Sequence, residues 1–334
     1  MTSRESKDIF FSVIISCFNS ELYIEEAIHS VISQSFRNWE LIIVDDCSSD
    51  STYSILQKFS YSDERIRIYR LDSNQGPAFA RNFAASHARG IWLAILDSDD
   101  IFMPHKLLFQ SLLIINSPNK LVLVASSCIF FTSKASSGKV IYPRSSSELK
   151  KSLFSMSKFP PHSSIVLRAS TFLEVGGYNI LFSRAEDYDL YLRMADFGLF
   201  VSAYQPLVKY RVRPTSLSNS LSDSGYSISK YGLVANICWR LSSFDSSLSS
   251  VSVASLDSLL SFVSTKYLGR FFSFFEMFKL SLKASSGLER FLVLFIELTK
   301  KPHFVILFFL FLSPSIRLIF LAIISASYQK HISK

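Results

Sequence analysis

The stretch LAILDSDD (93–100) drives an apolar run into three carboxylates within four positions, Asp97, Asp99 and Asp100. Carboxylates this close repel one another, so the arrangement makes sense where a positive partner sits among them. Such a turn suits a hard divalent cation, which takes oxygen ligands and often shares them with a phosphate. It equally suits a solvated turn capping the helix that begins near Pro104. The turn has company. A second acidic pair, Asp45 and Asp46, ends IIVDDCSSD (42–50), and GPAFARN (76–82) sets Arg81 ahead of the strand leading to Asp97. A third pair, Glu186 and Asp187, lies in RAEDYDLYLRM (184–194). A carboxylate there could deprotonate a hydroxyl nucleophile, or serve only as an acidic helix N-terminus favoured by the macrodipole.

Composition narrows the chemistry. The chain has 334 residues, enough for one large domain or two ordinary ones, and only 10 glycines. Neither GxGxxG nor GxxxxGK[ST] occurs, which argues against a glycine-rich phosphate cradle. Cys17, Cys47, Cys128 and Cys238 are scattered, with no CxxC pair, and read as reduced, mostly buried thiols. The net charge is +8, and residues 251–334 hold ten Lys/Arg against four Asp/Glu. Those basic residues flank apolar runs instead of interleaving with aromatics, which fits an anionic membrane surface better than nucleic acid. IFFSVIISCF (9–18) follows Arg4 and Lys7, but Glu5, Asp8 and the lack of a small-residue cleavage site make it a buried first strand, not an export signal.

The elements that must position these residues alternate regularly. Strands are expected at 10–16, 40–44, 65–69 and 91–96, with helices at 21–34 (capped by Asn19 or Ser20), 51–59, 77–88 and after Pro104. Apolar strands alternating with helices predict a mostly parallel sheet covered on both faces. Ligands of such sheets bind beyond the carboxyl ends of the strands, where Asp45–Asp46 and Asp97–Asp100 fall. Residues 121–215 read as mixed, with strands at 121–131 and 164–167 and a helix at 187–196. The Ser-rich stretch 213–227 reads as a loop or linker.

FSVIISCFNSELYIEEAIHSVISQSFRNWELIIVDDCSSDSTYSIL, NQGPAFARN, LAILDSDD and GGYNILFSRAEDYDLYLRM, in this order, resemble the family-2 nucleotide-sugar glycosyltransferases of GT-A fold. The resemblance covers residues 10–215. It implies an α/β, Rossmann-like catalytic domain that inverts the sugar. Ser16 and Phe18 would line the nucleotide pocket. Asp46 would accept from a uracil edge with Asp45 in support, and Arg81 would face the nucleotide or its diphosphate. Asp97, with Ser98 beside it, would approach the ribose, and Asp99 would bind Mn²⁺ or Mg²⁺ bridging the phosphates. Asp187 would be the base, with Glu186 tuning it. His162, in FPPHSSIVLR, would lie near the acceptor or diphosphate, or be a turn residue. Arg213 stands where many relatives carry a histidine that helps hold the metal. An arginine cannot ligate a cation, although it pairs with phosphate directly.

Beyond residue 215 a helical region is expected, with residues 1–9 a tail. Sixteen of the twenty-one residues 304–324 are Phe, Ile, Leu or Val, but Pro314 and Arg317 interrupt them. Lys300 and Lys301 on one side match Lys330 and Lys334 on the other, so a re-entrant or interfacial arrangement at the cytoplasmic face is favoured over a simple span. RFFSFFEMFKLSLK (270–283) reads as amphipathic. The partners implied are a nucleotide-sugar donor, a glycan or lipid-linked glycan acceptor and the membrane surface. QxxRW is absent, so single addition is expected rather than processive synthesis. Two rivals remain: a catalytically idle membrane-docked relative, motivated by Arg213, and a sugar nucleotidyltransferase, whose glycine- and arginine-rich N-terminal loop is missing.

Overall fold

The computed structural model describes residues 9–132, 136–155, 157–180, 182 and 185–213. All lie in the first of the chain's two units, Met1–Asn236. The expected apolar and amphipathic segments of the C-terminal region, and the domain boundary at 215, lie outside the described residues. Among the described residues no helix is long and apolar enough to cross a membrane.

The first half follows the expected alternation: β1 (Phe11–Cys17), α1 (Ile24–Ile32), β2 (Trp39–Asp45), α2 (Thr52–Ser62), β3 (Ile66–Arg70), α3 (Pro77–Ser86) and β4 (Trp92–Ile95). The strand β5 (Ile101–Phe102) and α4 (Lys106–Ile115) follow. Then come β6 (Leu121–Phe131), β7 (Ser136–Val140), α5 (Ser146–Phe154), a 3-10 turn (His162–Ser164), β8 (Val166–Arg168), α6 (Ala169–Glu174), α7 (Glu186–Met194) and β9 (Leu199–Arg211). The sheet runs β3-β2-β1-β4-β8-β6-β9-β5, with β7 beside β6. β1 to β4 are mutually parallel, β8 is antiparallel to both β4 and β6, and β9 runs parallel to β6.

Burial explains the strand composition. Every residue of β2 is buried, and β1 alternates Phe11, Val13 and Ile15 on one face with Ile14 on the other, all nearly inaccessible. A strand covered on both faces gains on both, at about 25 cal/mol per Å² of apolar surface. β1 has β2 on one side and β4 on the other, so the chain reverses its direction of travel across the sheet there. The crevice beyond such a reversal is the expected ligand position.

The expected start of α1 is corrected. Neither Asn19 nor Ser20 caps the helix with its side chain, and α1 begins at Ile24. Instead the Ser20 carbonyl accepts from the Tyr23 and Ile24 N–H groups. Asn19 takes a left-handed φ of 47° and accepts the Ser49 N–H, and its own N–H reaches Ser48 Oγ at 2.9 Å. These side chains join the loop after β1 to the loop after β2, a tertiary task that competes with capping.

Candidate active site

Four loops converge beyond the carboxyl ends of β1, β2 and β4 and at the start of α7. After β1, Ser16 is half-buried and Phe18 is 48% exposed, an aromatic face open for stacking. Ser20 Oγ and Ser98 Oγ, 2.9 Å apart, brace this loop against the acidic turn after β4.

After β2 the two carboxylates are held inside. Asp45 accepts the Ser48 N–H at 3.3 Å and faces Arg70 Nε at 3.3 Å. Asp46, 3% exposed, takes the N–H of Gln75 on one oxygen and that of Gly76 on the other, each at 2.8 Å. Gly76 has φ 86°, a conformation that favours glycine, and it presents Pro77 as the first residue of α3. Asp46 therefore shapes the loop that launches α3 and Arg81.

After β4 the carboxylates meet arginines. Arg81, 7% exposed, donates Nη2 to Asp97 and Nη1 to Glu186, both at 2.7 Å. Burial would raise the Asp97 pKa, but the Arg81 guanidinium, by its charge and its hydrogen bond, holds it below its ordinary value. Arg213 Nη2 lies 2.7 Å from Asp99 Oδ2. Arg211 donates Nε to the Asp99 carbonyl at 2.7 Å and its N–H to Asp100 at 2.8 Å. Ser163 Oγ donates to Asp100 and receives the Asp97 N–H. Asp100 is thus the buried support of the turn, while Asp97 and Asp99 lie nearer its surface.

The third pair opens α7. Ala185 takes a left-handed φ of 58° just before it. A non-glycine residue held this way is strained by roughly 1–2 kcal/mol and often marks a functional site. Asp187 is half-buried and accepts the Tyr188 N–H at 2.7 Å. Burial, then the neighbouring Glu186 charge, pushes its pKa up to about 7. A carboxylate that titrates there can take a proton from a hydroxyl near neutral pH. Asp189, next on the helix, is instead tied to Arg193 at 2.6 Å.

His162 lies behind these groups, with Nε2 2.9 Å from the Tyr178 hydroxyl and Nδ1 bonded to that of Tyr191. Burial and the nearby Arg81 push its pKa down to about 3, so the ring is neutral. Both nitrogens being taken, it positions the wall of the site and presents neither to a ligand.

The divalent cation expected on Asp99 meets an obstacle. Its carboxylate is ion-paired with Arg213, Asp97 is paired with Arg81, and among the described residues no three His, Cys, Asp or Glu side chains group as a metal site. A dication beside that guanidinium would face like-charge repulsion. The donor set in this arrangement does not fit a metal.

The residues missed from sequence are Arg211, Ser163 and Tyr178. YRVR (210–213) offered a signal for the first, because period two puts Arg211 and Arg213 on one face of an extended chain. Ser163 and Tyr178 had no local signature.

An α/β fold with a mostly parallel sheet, a mixed right half and acids at this crevice defines the GT-A class. S. aureus TarS 1–349 in complex with UDP-GlcNAc superposes at a TM-score of 0.57 with 20% identity, covering 79% of this chain and 73% of that 1–349 chain. The sequence profile of Glycosyl transferase family 2 matches residues 12–168. The Bacillus subtilis protein named "Putative glycosyltransferase EpsE" is 33% identical over 236 residues, covering 69% of this chain and 82% of EpsE. The chain belongs to glycosyl transferase family 2. It is also 41% identical over 104 residues to the Escherichia coli UDP-Glc:alpha-D-GlcNAc-diphosphoundecaprenol beta-1,3-glucosyltransferase WfgD, a match spanning 31% of this chain and only 40% of WfgD.

Proposed function

We propose that this glycosyltransferase moves one sugar from a uridine nucleotide-sugar to a lipid-linked or surface-polysaccharide acceptor, inverting the anomeric centre. The observation that carries the reading is the chain Asp97–Arg81–Glu186 beside Asp187, which ties the acidic turn after β4 to the helix bearing the base. The acceptor hydroxyl attacks the anomeric carbon, its proton passes to Asp187, and the bond from that carbon to the diphosphate oxygen breaks. Glu186 keeps the Asp187 proton affinity high while its own charge is held by Arg81. Phe18 offers its ring to the base, and Ser16, Asp97 and Ser98 border the ribose. The donor assignment is supported by the UDP-sugar bound to TarS and the UDP-Glc named for WfgD. The acceptor class is supported by WfgD and by the basic, apolar C-terminal region, which would hold the enzyme at the cytoplasmic face of the membrane.

The test is nucleotide release from a panel of sugar nucleotides with membrane extract as acceptor source. Turnover of a UDP-sugar that disappears in Asp187→Asn is expected. Donor turnover by no member of the panel would refute the reading, and full turnover by Asp187→Asn would refute the role of Asp187.

A further inference from the structure

Resting on the nucleotide-sugar reading above, we propose that Arg213 bridges Asp99 and the donor diphosphate, so that this chain binds its donor without a divalent cation. A metal in such a turn has one electrostatic task on binding, which is to join a carboxylate to a diphosphate that would otherwise repel it. A guanidinium can do the same. It carries five N–H donors in a planar fork, and one edge can hold a carboxylate while the others hold phosphate oxygens. Arg213 already has one edge on Asp99, 2.7 Å away, and its side chain keeps 35% of its surface open.

The neighbouring arginines cannot take this part. Arg81 is buried and divided between Asp97 and Glu186. Arg211 has 10% of its side chain open, holds the Asp99 carbonyl and pairs with Glu26. It also stacks on Phe131 and Tyr23, with its guanidinium carbon 4.4 and 4.7 Å from their ring centroids. Arg213 lies over the Tyr23 ring too, at 5.3 Å. The two arginines leave β9 on one face of the chain, and Tyr23 supports that face from the loop before α1. Arg211 fixes the backbone of the turn, whereas Arg213 holds a carboxylate of the turn and keeps part of its side chain open.

The inference is tested on the full-length protein in detergent by calorimetric titration of UDP and GDP, after dialysis against EDTA and again with added Mn²⁺. Wild-type protein is expected to bind UDP with affinities within about threefold in the two conditions. Arg213→Ala is expected to lose roughly tenfold or more in EDTA, the size of one charge-assisted hydrogen bond, and to recover most of it in Mn²⁺, because Asp99 is then released to hold the cation. Arg213→Gln, which keeps the length of the side chain, should behave alike and replaces the alanine variant if that one is poorly folded. Wild-type binding that requires Mn²⁺, or undiminished binding by these variants in EDTA, would overturn the proposal while leaving the transferase reading intact. Binding of neither nucleotide in either condition would overturn both.

Discussion

The turns after β2 and after β4 look alike in sequence, each an apolar strand running into adjacent aspartates, yet they are satisfied by different chemistry. Asp46 is held by two main-chain N–H groups and Asp45 by another, with Arg70 alongside. Asp97 and Asp99 are held by the side chains of Arg81 and Arg213. A main-chain donor is fixed by the fold, so a carboxylate bound to it fixes a loop. A guanidinium has several edges and can share or exchange partners when an anion arrives. The first turn is built to stay fixed, and the second, on the function proposed above, to exchange partners.

Substitutions can break this contrast if it is wrong. The largest effect is expected for Arg81→Leu, which leaves Asp97 and Glu186 without their shared cation. Unfolding stability should fall by about 3–5 kcal/mol, read by denaturant titration, and donor turnover should vanish with it. Asp46→Ala should cost about 2–3 kcal/mol through two orphaned N–H groups, with its catalytic defect largely repaired by lowering the temperature. If Asp46→Ala melts normally but cannot bind donor, the architectural role is wrong. Asp99→Asn should change stability by less than about 1 kcal/mol, since its pair with Arg213 is partly exposed, while the KM for donor rises roughly tenfold.

A pH profile gives the smallest and most selective effect. With its pKa raised to about 7, Asp187 becomes an active base only as pH climbs through that value, so kcat/KM should rise along a limb centred there. Asp187→Asn should remove the limb. The sign for stability is opposite. A carboxyl that prefers its proton in the folded state contributes stability that is fully present below its unfolded value near 4 and is lost as pH rises through about 7. Activity and stability should therefore move in opposite directions across this window, and parallel movement would show that another group controls the profile.

The sequence showed the parallel half of the fold clearly because each of its elements carries its own period. β1, β2 and β4 are short apolar runs, and α2 and α3 begin within a residue of their expected starts. The second half was less legible. β9 is 13 residues long but mixes Tyr204, Gln205 and Lys209 with apolar residues, since only part of each face is buried. Two-residue β5 has no period at all. In the site, residue types identified Asp97, Asp187 and Arg81 as a set, but not who holds whom. That Glu186 lies on Arg81, 105 positions away, or that His162 sits between two tyrosines, depends on packing that no local pattern encodes.

Paired β9 ends at Arg211, where its last partner is Phe131, so position 213 lies just outside the ladder that holds the sheet together. Its side chain can change with little penalty to folding, while under the proposal above the identity of that side chain decides how a diphosphate is neutralised. Cofactor dependence at this site would then be an evolutionarily labile trait. Lineages could gain or lose it by a single codon change, without passing through unstable intermediates.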